Sequence, residues 1–400
     1  MRAAQGYRML VSVMLALICV ACGGGGDGAS SAAVAIPPVA IASAAVAGVG
    51  AVSPLPSPTP ATATPLAIMS QLSAIASNFD VASWLVKGDL VPPSAAPDVV
   101  GAFRFICQAG HLAYDDPIVY PGQPGKSHLH QFFGNTLTDA NSTFASLRGS
   151  GDSTCMGPLN RSAYWIPAMM NGKGGIIRPD YVSIYYKRRP ESDPECKRQG
   201  KECVALPRGL RFVFGYNMTN PSTSHTGAGH WNCQGTGADP GHYPSLAEAR
   251  KHCPVGTQIG AVINAPDCWD GKNIDSADHR SHVAYGTYGD WGYYKCPASH
   301  PMVIPQFTLG AWYSTDSSLP DWYLSSDRMP GMADAIDGST LHSDWWGAWD
   351  DKTMETWTAN CIDRMLNCSD GQLGDGTTLK RPANFAYLAD PRVVAEPPRL

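Results

Sequence analysis

Charge is scarce in this chain of 400 residues: Asp, Glu, Lys and Arg make up 16% of it, against about 25% in an average soluble domain. A highly charged disordered protein is thereby excluded. Basic charge is never concentrated either, with 29 Lys and Arg against 34 Asp and Glu and a net charge of −5. Phosphate binding needs a local excess of cations, so no nucleic-acid partner is expected. No C-x-x-C pair occurs beyond the first 22 residues, which removes the usual Cys-rich zinc site. A G-x-S-x-G elbow is also missing, and Ser127 beside His128 cannot make a nucleophilic triad by adjacency alone. Long apolar runs are missing too. Met9 to Ala21 is too short to cross about 30 Å of hydrocarbon as a helix, and the Ala- and Val-rich stretch Ser31 to Val52 is broken by Pro37-Pro38.

Glycine and proline are abundant, at 41 and 33 residues, which favours a turn-rich β architecture over a helical bundle. Eleven Trp, 16 Tyr and 10 Phe supply ample core material. At the start, Arg2 and Arg8 precede the apolar run, and Cys19-Val20-Ala21-Cys22 resembles a bacterial lipobox. This reads as a signal peptide over residues 1–22 that exports the chain, either leaving Cys22 to be lipidated as a membrane-anchored lipoprotein or, as an ordinary secretory signal, releasing a secreted protein. The expected membrane contact is through that lipid anchor alone. Residues 23–78, rich in Ala, Pro and Ser, read as a tether. A short helix is expected over Ile68 to Val86, with Leu72, Ile75, Phe79 and Val81 among its apolar members.

Ten cysteines remain: Cys107, Cys155, Cys196, Cys203, Cys233, Cys253, Cys268, Cys296, Cys361 and Cys368. An even number in an exported chain implies a framework of about five disulfides. Connectivity does not follow from sequence. Sequence-local pairing is the working expectation: 107 with 155, 196 with 203, 233 with 253, 268 with 296, and 361 with 368.

Beyond residue 95 the pattern is short apolar or alternating segments between turn residues: Gly101 to Cys107, Tyr181 to Tyr186, Leu210 to Tyr216, Gln258 to Ile263 and Met302 to Gly310. These are strand signals. Helical periodicity is confined to Ser245 to His252, which Ser245 could cap, and Lys352 to Leu366. The expectation for residues 95–400 is a mainly β fold, one large β-sandwich or jelly-roll-like domain with long loops and a few peripheral helices.

Chemistry concentrates in two places. In Gly125-Lys126-Ser127-His128-Leu129-His130-Gln131-Phe132-Phe133-Gly134-Asn135 a strand would point His128 and His130 to one face, within reach of one metal or substrate. The stretch from Cys268 to His282 packs Asp270, Lys272, Asp275, Asp278, His279, Arg280 and His282 together, a density that is costly to bury without pairing. His300 and His342 sit beside turn or aromatic residues further on. Trp165, Trp231 and Trp269 lie near these polar clusters and could offer aromatic faces to sugar rings.

Six segments resemble one family: Asp116-Pro117-Ile118-Val119-Tyr120-Pro121-Gly122, Ser127 to Asn135, Tyr164-Trp165-Ile166-Pro167, Cys268-Trp269-Asp270-Gly271-Lys272-Asn273, Asp278-His279-Arg280-Ser281-His282 and Cys296-Pro297-Ala298-Ser299-His300-Pro301. Over about Phe103 to Cys361 they are similar to the secreted family DUF1996. His342 to Trp349 is similar to its closing His-x-Asp and Gly-x-Trp pattern, with Trp345-Trp346 and Ala348 as departures. The resemblance implies an extracellular domain, joined in some fungal members to carbohydrate-binding modules, and brings no catalytic role with it.

The function expected is action on a polysaccharide, hydrolytic or eliminative, in a cleft where His128, His130, His282 and His300 converge. In a metal-assisted version His128, His130 and His282 hold a divalent ion, with Asp275 or Asp278 completing its shell. In a metal-free version a His or Tyr120 moves the proton while Arg280 or Lys272 stabilises negative charge. Tyr120, Lys272, Trp165, Trp231 and Trp269 are the expected substrate contacts. A two-carboxylate glycosidase would draw on Asp115, Asp116, Asp270, Asp275 or Asp278. The alternative is a non-catalytic carbohydrate-binding or adhesion module of the cell surface.

Overall fold

A computed structural model describes residues 72–399 apart from 89, 199–201, 226, 289–293 and 333. The expected signal peptide, Cys22 and the tether as far as residue 71 lie outside the described residues. Among the described residues no helix is long and apolar enough to cross a membrane.

The strand Tyr181–Arg188 shows how the sequence makes the fold. Its side chains alternate strictly, with Val182, Ile184, Tyr186 and Arg188 buried and the residues between them partly exposed, the period-2 pattern of a sheet with one covered face. It is the fourth strand of a six-stranded sheet ordered Gly229–Gln234, Gln258–Asn264, Gln306–Ser314, Tyr181–Arg188, Gly101–Cys107 and Asn367–Cys368. A five-stranded sheet runs Arg211–Gly215, His342–Trp346, Ala163–Pro167, His130–Gly134 and Leu112–Ala113. Phe307 of the first sheet meets Tyr164, Phe212, Phe214 and Trp345 of the second, with ring centroids 5.4 to 6.4 Å apart. The expected β-sandwich is therefore present, with its main core between these two sheets.

The five-stranded sheet departs from alternation: three of its strands, His130–Gly134, Ala163–Pro167 and His342–Trp346, are buried at every position. One face meets the other sheet. The second face carries Phe132, Trp165, Val213 and Trp346 into a separate apolar cluster with Ile118, Phe144 and Leu147. That cover matters, because His130, His342 and Asp344 share the parity of this second face.

Helices are few and short, as expected. Ser245 caps Leu246–Ala249 by accepting from Glu248 N–H. Asp350 caps Asp351–Trp357, which continues as a π turn over Thr358–Ile362. The helical segment stops at Ile362, short of Leu366, and Met365 adopts a left-handed backbone at φ 55°. Met302 to Gly310 forms two strands, Met302–Val303 and Gln306–Ser314, separated at Pro305.

The helix expected over Ile68 to Val86 is not formed across its described part. Only Val81–Trp84 makes a 3₁₀ turn, and Leu85–Lys87 is a strand paired with Thr377–Leu379. Arginines explain the extended segment before it: Arg208 donates to the Leu72 carbonyl at 2.7 Å and Arg148 to that of Ile75 at 3.1 Å. Those carbonyls are taken by distant side chains, while Leu72 and Ile75 pack on the cluster of Phe144 and Trp346. Leu72 and Ile75, in the described part of the expected tether, thus already pack on the domain.

All five sequence-local cysteine pairs are joined: Cys107–Cys155, Cys196–Cys203, Cys233–Cys253, Cys268–Cys296 and Cys361–Cys368. The last closes a small loop, and replacing both of its cysteines by serine is expected to cost about 2 kcal/mol by loop entropy. Urea denaturation of the pair variant at fixed protein concentration measures this; an unchanged midpoint would contradict it.

Candidate metal centre and cleft

The site begins with His128-Leu129-His130. His130 opens its strand and pairs with Pro167, while Leu129 turns the other way into a small apolar cluster with Ala168, Met170 and Ile176. From the other flank of Ala163–Pro167, His342-Ser343-Asp344 repeats the device, with His342 and Asp344 on one face and Ser343 on the other. Gly215 pairs with His342 at φ 86°; a Cβ there would lie 2.8 Å from the Leu341 carbonyl and 3.0 Å from His342 Cα. Only glycine lets the strands close at that point.

His128, His130 and His342 are all buried, and one ligand nitrogen from each lies within 4.8 Å of the others. Nε2 of His128 stands 3.2 Å from Nε2 of His342. Their tautomers follow from what Nδ1 faces. In His130 it is 3.0 Å from the Asp115 carbonyl and in His342 2.8 Å from the Thr340 carbonyl, acceptors only, so both Nδ1 atoms carry the proton. His128 Nδ1 faces Ser325 Oγ at 3.0 Å, and that hydroxyl already donates to the Leu129 carbonyl at 2.5 Å. It must therefore accept from His128.

The Nε2 lone pairs of His128 and His342 consequently face one another, with a ligand nitrogen of His130 within 4.8 Å of both residues' ligand atoms. Two nitrogens bound at about 2.0–2.1 Å to one ion, at angles between octahedral and tetrahedral, stand about 2.8–3.4 Å apart. The His128–His342 spacing meets that requirement, and backbone or hydroxyl partners on the opposite nitrogen are what orient metal-binding imidazoles.

Electrostatics agree. Burial, followed by the neighbouring His342, pushes His130 down to about 3; burial also lowers His342 to about 4 and His128 well below the ordinary imidazole value. All three are neutral ligands at neutral pH. A second group, Asp116, His130 and Asp344, also has its ligand atoms within 4.8 Å of one another. Burial raises Asp116 to about 6, against the N–H groups of Val119 and Ile118 that hold its Oδ1. Asp344 is raised well above the usual carboxylate range by burial and then by Asp116. Neither oxygen of Asp344 has a hydrogen-bond partner, and neither does Nε2 of His130. Unpaired buried polar atoms cost about 1–3 kcal/mol each, so three beside one another mark a place built for something other than stability.

Four of these groups, His128, His342, Asp116 and Asp344, line a cleft of about 270 Å³, and His130 lies behind them. Tyr120 and Arg280 stand in its walls, where Arg280 donates to the Tyr216 carbonyl at 3.0 Å and the Gly215 carbonyl at 3.4 Å. Asp278 also lines it, but its Oδ1 accepts from the N–H groups of Arg280 and Ser281 and the hydroxyls of Ser276 and Ser281. That carboxylate holds a turn.

The remaining expected site residues are placed elsewhere. His282 is buried with Nδ1 2.8 Å from Ser276 Oγ and Nε2 2.8 Å from the Arg211 carbonyl, so both nitrogens are committed and His342 takes the third position. His300 contacts the Ser281 carbonyl and Ser299 Oγ at 2.9 Å, away from the triad. Asp275 bonds Arg211 and His279 rather than the triad. Lys272 is exposed on the Asp270 turn and does not line the cleft. Trp165, Trp231 and Trp269 are 0%, 0% and 2% exposed, and the last two donate their indole N–H to Gly338 and Asn273 carbonyls. Their faces belong to the core, not to a sugar platform. Asp344 is present in the sequence reading only within the His-x-Asp pattern and is not among the expected ligands; its signal was an H-x-D alternation matching the H-x-H.

The molecule is thus a disulfide-stapled β-sandwich carrying a buried three-imidazole, two-carboxylate centre under an open cleft. The chain belongs to the family described as Domain of unknown function (DUF1996), whose model matches residues 116–349, a span that includes all five of those groups. No curated protein and no solved structure matches it.

Proposed function

We propose that His128, His130 and His342 bind a divalent metal ion, that Asp344, which groups with His130 rather than with all three imidazoles, moves in as the fourth donor, and that the protein uses this centre to hydrolyse an extracellular polysaccharide. The grouping of three buried imidazoles whose ligand atoms lie within 4.8 Å of one another, each with a partner on Nδ1, carries the reading. Three nitrogens and one oxygen suit zinc, or another first-row ion of similar size. Such an ion supplies a Lewis acid and an activated water. Asp116, raised to about 6 at the edge of the cleft, is suited to take the water's proton near neutral pH. Five disulfides support an oxidising compartment, consistent with export and anchoring through Cys22.

The test is the full chain, zinc-loaded or chelator-treated, incubated with a polysaccharide panel beside a His128→Ala variant. Released acyl groups, new reducing ends, unsaturated products and retained protein are scored together. Products that need both the metal and His128 support the reading. Equal retention by both proteins without products would make the chain a carbohydrate-binding or adhesion module.

A milder change separates orientation from ligation. Ser325→Ala removes the acceptor that fixes His128 and is expected to weaken zinc binding about 10- to 100-fold, read by competition with a chromogenic chelator. Unaltered affinity would remove Ser325 from the account.

A further inference from the structure

We infer that the bond cleaved is a carboxylic ester and that His279, paired with Asp275, delivers the proton to its departing oxygen; this rests on the hydrolytic reading above. Three observations lead there. The first is carboxylate placement: Asp116 and Asp344 present oxygens within 4.8 Å of each other beside His130, side by side rather than on opposite faces of a sugar ring as a glycosidase pair stands. Both lie at the metal-binding floor. An ester carbonyl, polarised by a Lewis acid and attacked by its water, needs no such flanking pair.

The second is the dyad. Nδ1 of His279 is 2.8 Å from Asp275 Oδ1, and Asp275 Oδ2 takes the Arg211 Nε–H at 2.8 Å. The backbone of His279 is left-handed, at φ 55°, a conformation uncommon outside glycine and enriched at functional sites. Asp275 thus fixes one ring nitrogen and directs the other away from it, the arrangement of an imidazole proton carrier.

The third is location. His279 lines the metal cleft and also a roomier, mostly apolar groove of about 570 Å³ with Pro117, Ile118, Pro121, Phe144 and Ile274. A scissile bond held over the triad, with its departing half directed along that groove, passes the His279 ring. The charged groups facing this ring are Asp275, with Arg211 behind it, and Asp116 across the cleft; Asp278 and Arg280 flank it in sequence.

The step balances. Water oxygen bonds to the acyl carbon and its proton passes to Asp116, while the acyl C–O bond breaks. His279 gives its Nε2 proton to the leaving alkoxide. Carboxylic acid and alcohol leave, and solvent returns the proton from Asp116 to His279.

The test compares the zinc-loaded full chain with His279→Asn, chosen because Asn tolerates the left-handed backbone. The probes are 4-nitrophenyl acetate, whose leaving group departs without a proton, and ethyl acetate, whose leaving group needs one. The variant is expected to keep zinc affinity, and to lose about 10²- to 10⁴-fold on the alkyl ester but far less on the nitrophenyl ester. Equal losses on both esters, or none, would overturn the role of His279 and leave the metal centre standing. No ester turnover by the wild-type protein, alongside glycosidic cleavage in the polysaccharide panel, would overturn the ester assignment alone; no turnover of anything would remove both.

Discussion

His130→Ala should abolish measurable zinc binding under conditions where the wild-type chain is saturated. His130 belongs to both ligand groups, with His128 and His342 and with Asp116 and Asp344, and its Nε2 has no other partner. Loss of an outer partner alone weakens a site about 10- to 100-fold, so removal of the shared ligand should weaken it by more than about 100-fold. Stability adds an independent readout. A ligand at 100 times its Kd adds about 2.7 kcal/mol to the folded state, so zinc should raise the wild-type melting temperature and leave that of His130→Ala unmoved. The metal-free variant will itself be weaker, since it loses the bond to the Asp115 carbonyl and opens a cavity. Only the zinc-dependent difference is diagnostic. A variant that binds zinc as the wild type does would dismiss the centre.

Much of the architecture was legible locally because local forces decide it. Alternation in Tyr181–Arg188 and the short apolar run in Gln258–Asn264 announce strands, and every disulfide joins cysteines adjacent in the sequence of cysteines. His128 and His130 were legible for the same reason, two positions on one face of a strand. What completes the site comes from 212 and more residues later, through the pairing of His342–Trp346 with Arg211–Gly215 and Ala163–Pro167. No spacing rule reaches across such a separation. Conversely, the density of His and Asp in residues 268–282 promised a site and mostly builds turns, because Asp270 and Asp278 bond the N–H groups two and three residues ahead. The tryptophans misled through composition: beside polar clusters in sequence, they point from strands into the core.

The sharpest consequence concerns Asp344, where stability and binding should move in opposite directions. Burial raises Asp344 well above the usual carboxylate range, Asp116 raises it further, and Arg280 only partly opposes them. Its folded form therefore holds a proton that the unfolded chain has released by about pH 5. A raised folded value means that the contribution to stability is fully present below the unfolded pKa and is lost as pH rises through the folded one. Asp116, raised to about 6, acts with the same sign between about pH 4 and 6. The imidazoles act oppositely: lowered to about 3 and about 4 in His130 and His342, they favour the fold above about pH 6.5 and cease to as pH falls toward those values.

Asp344→Asn keeps the shape and removes the charge. In chelator it should stabilise the metal-free protein by about 1–3 kcal/mol at pH 8 and by little at pH 4, because only the carboxylate has an ionisation to resist. With zinc present the order should reverse, since the wild type gains the ion's binding energy and the variant has lost its anionic ligand. Melting curves at both pH values, with chelator and with zinc, read all four states. A variant less stable than the wild type in chelator at pH 8 would mean that Asp344 is held by partners that stabilise its charge, and a variant that still gains fully from zinc would mean that the ion does not need it.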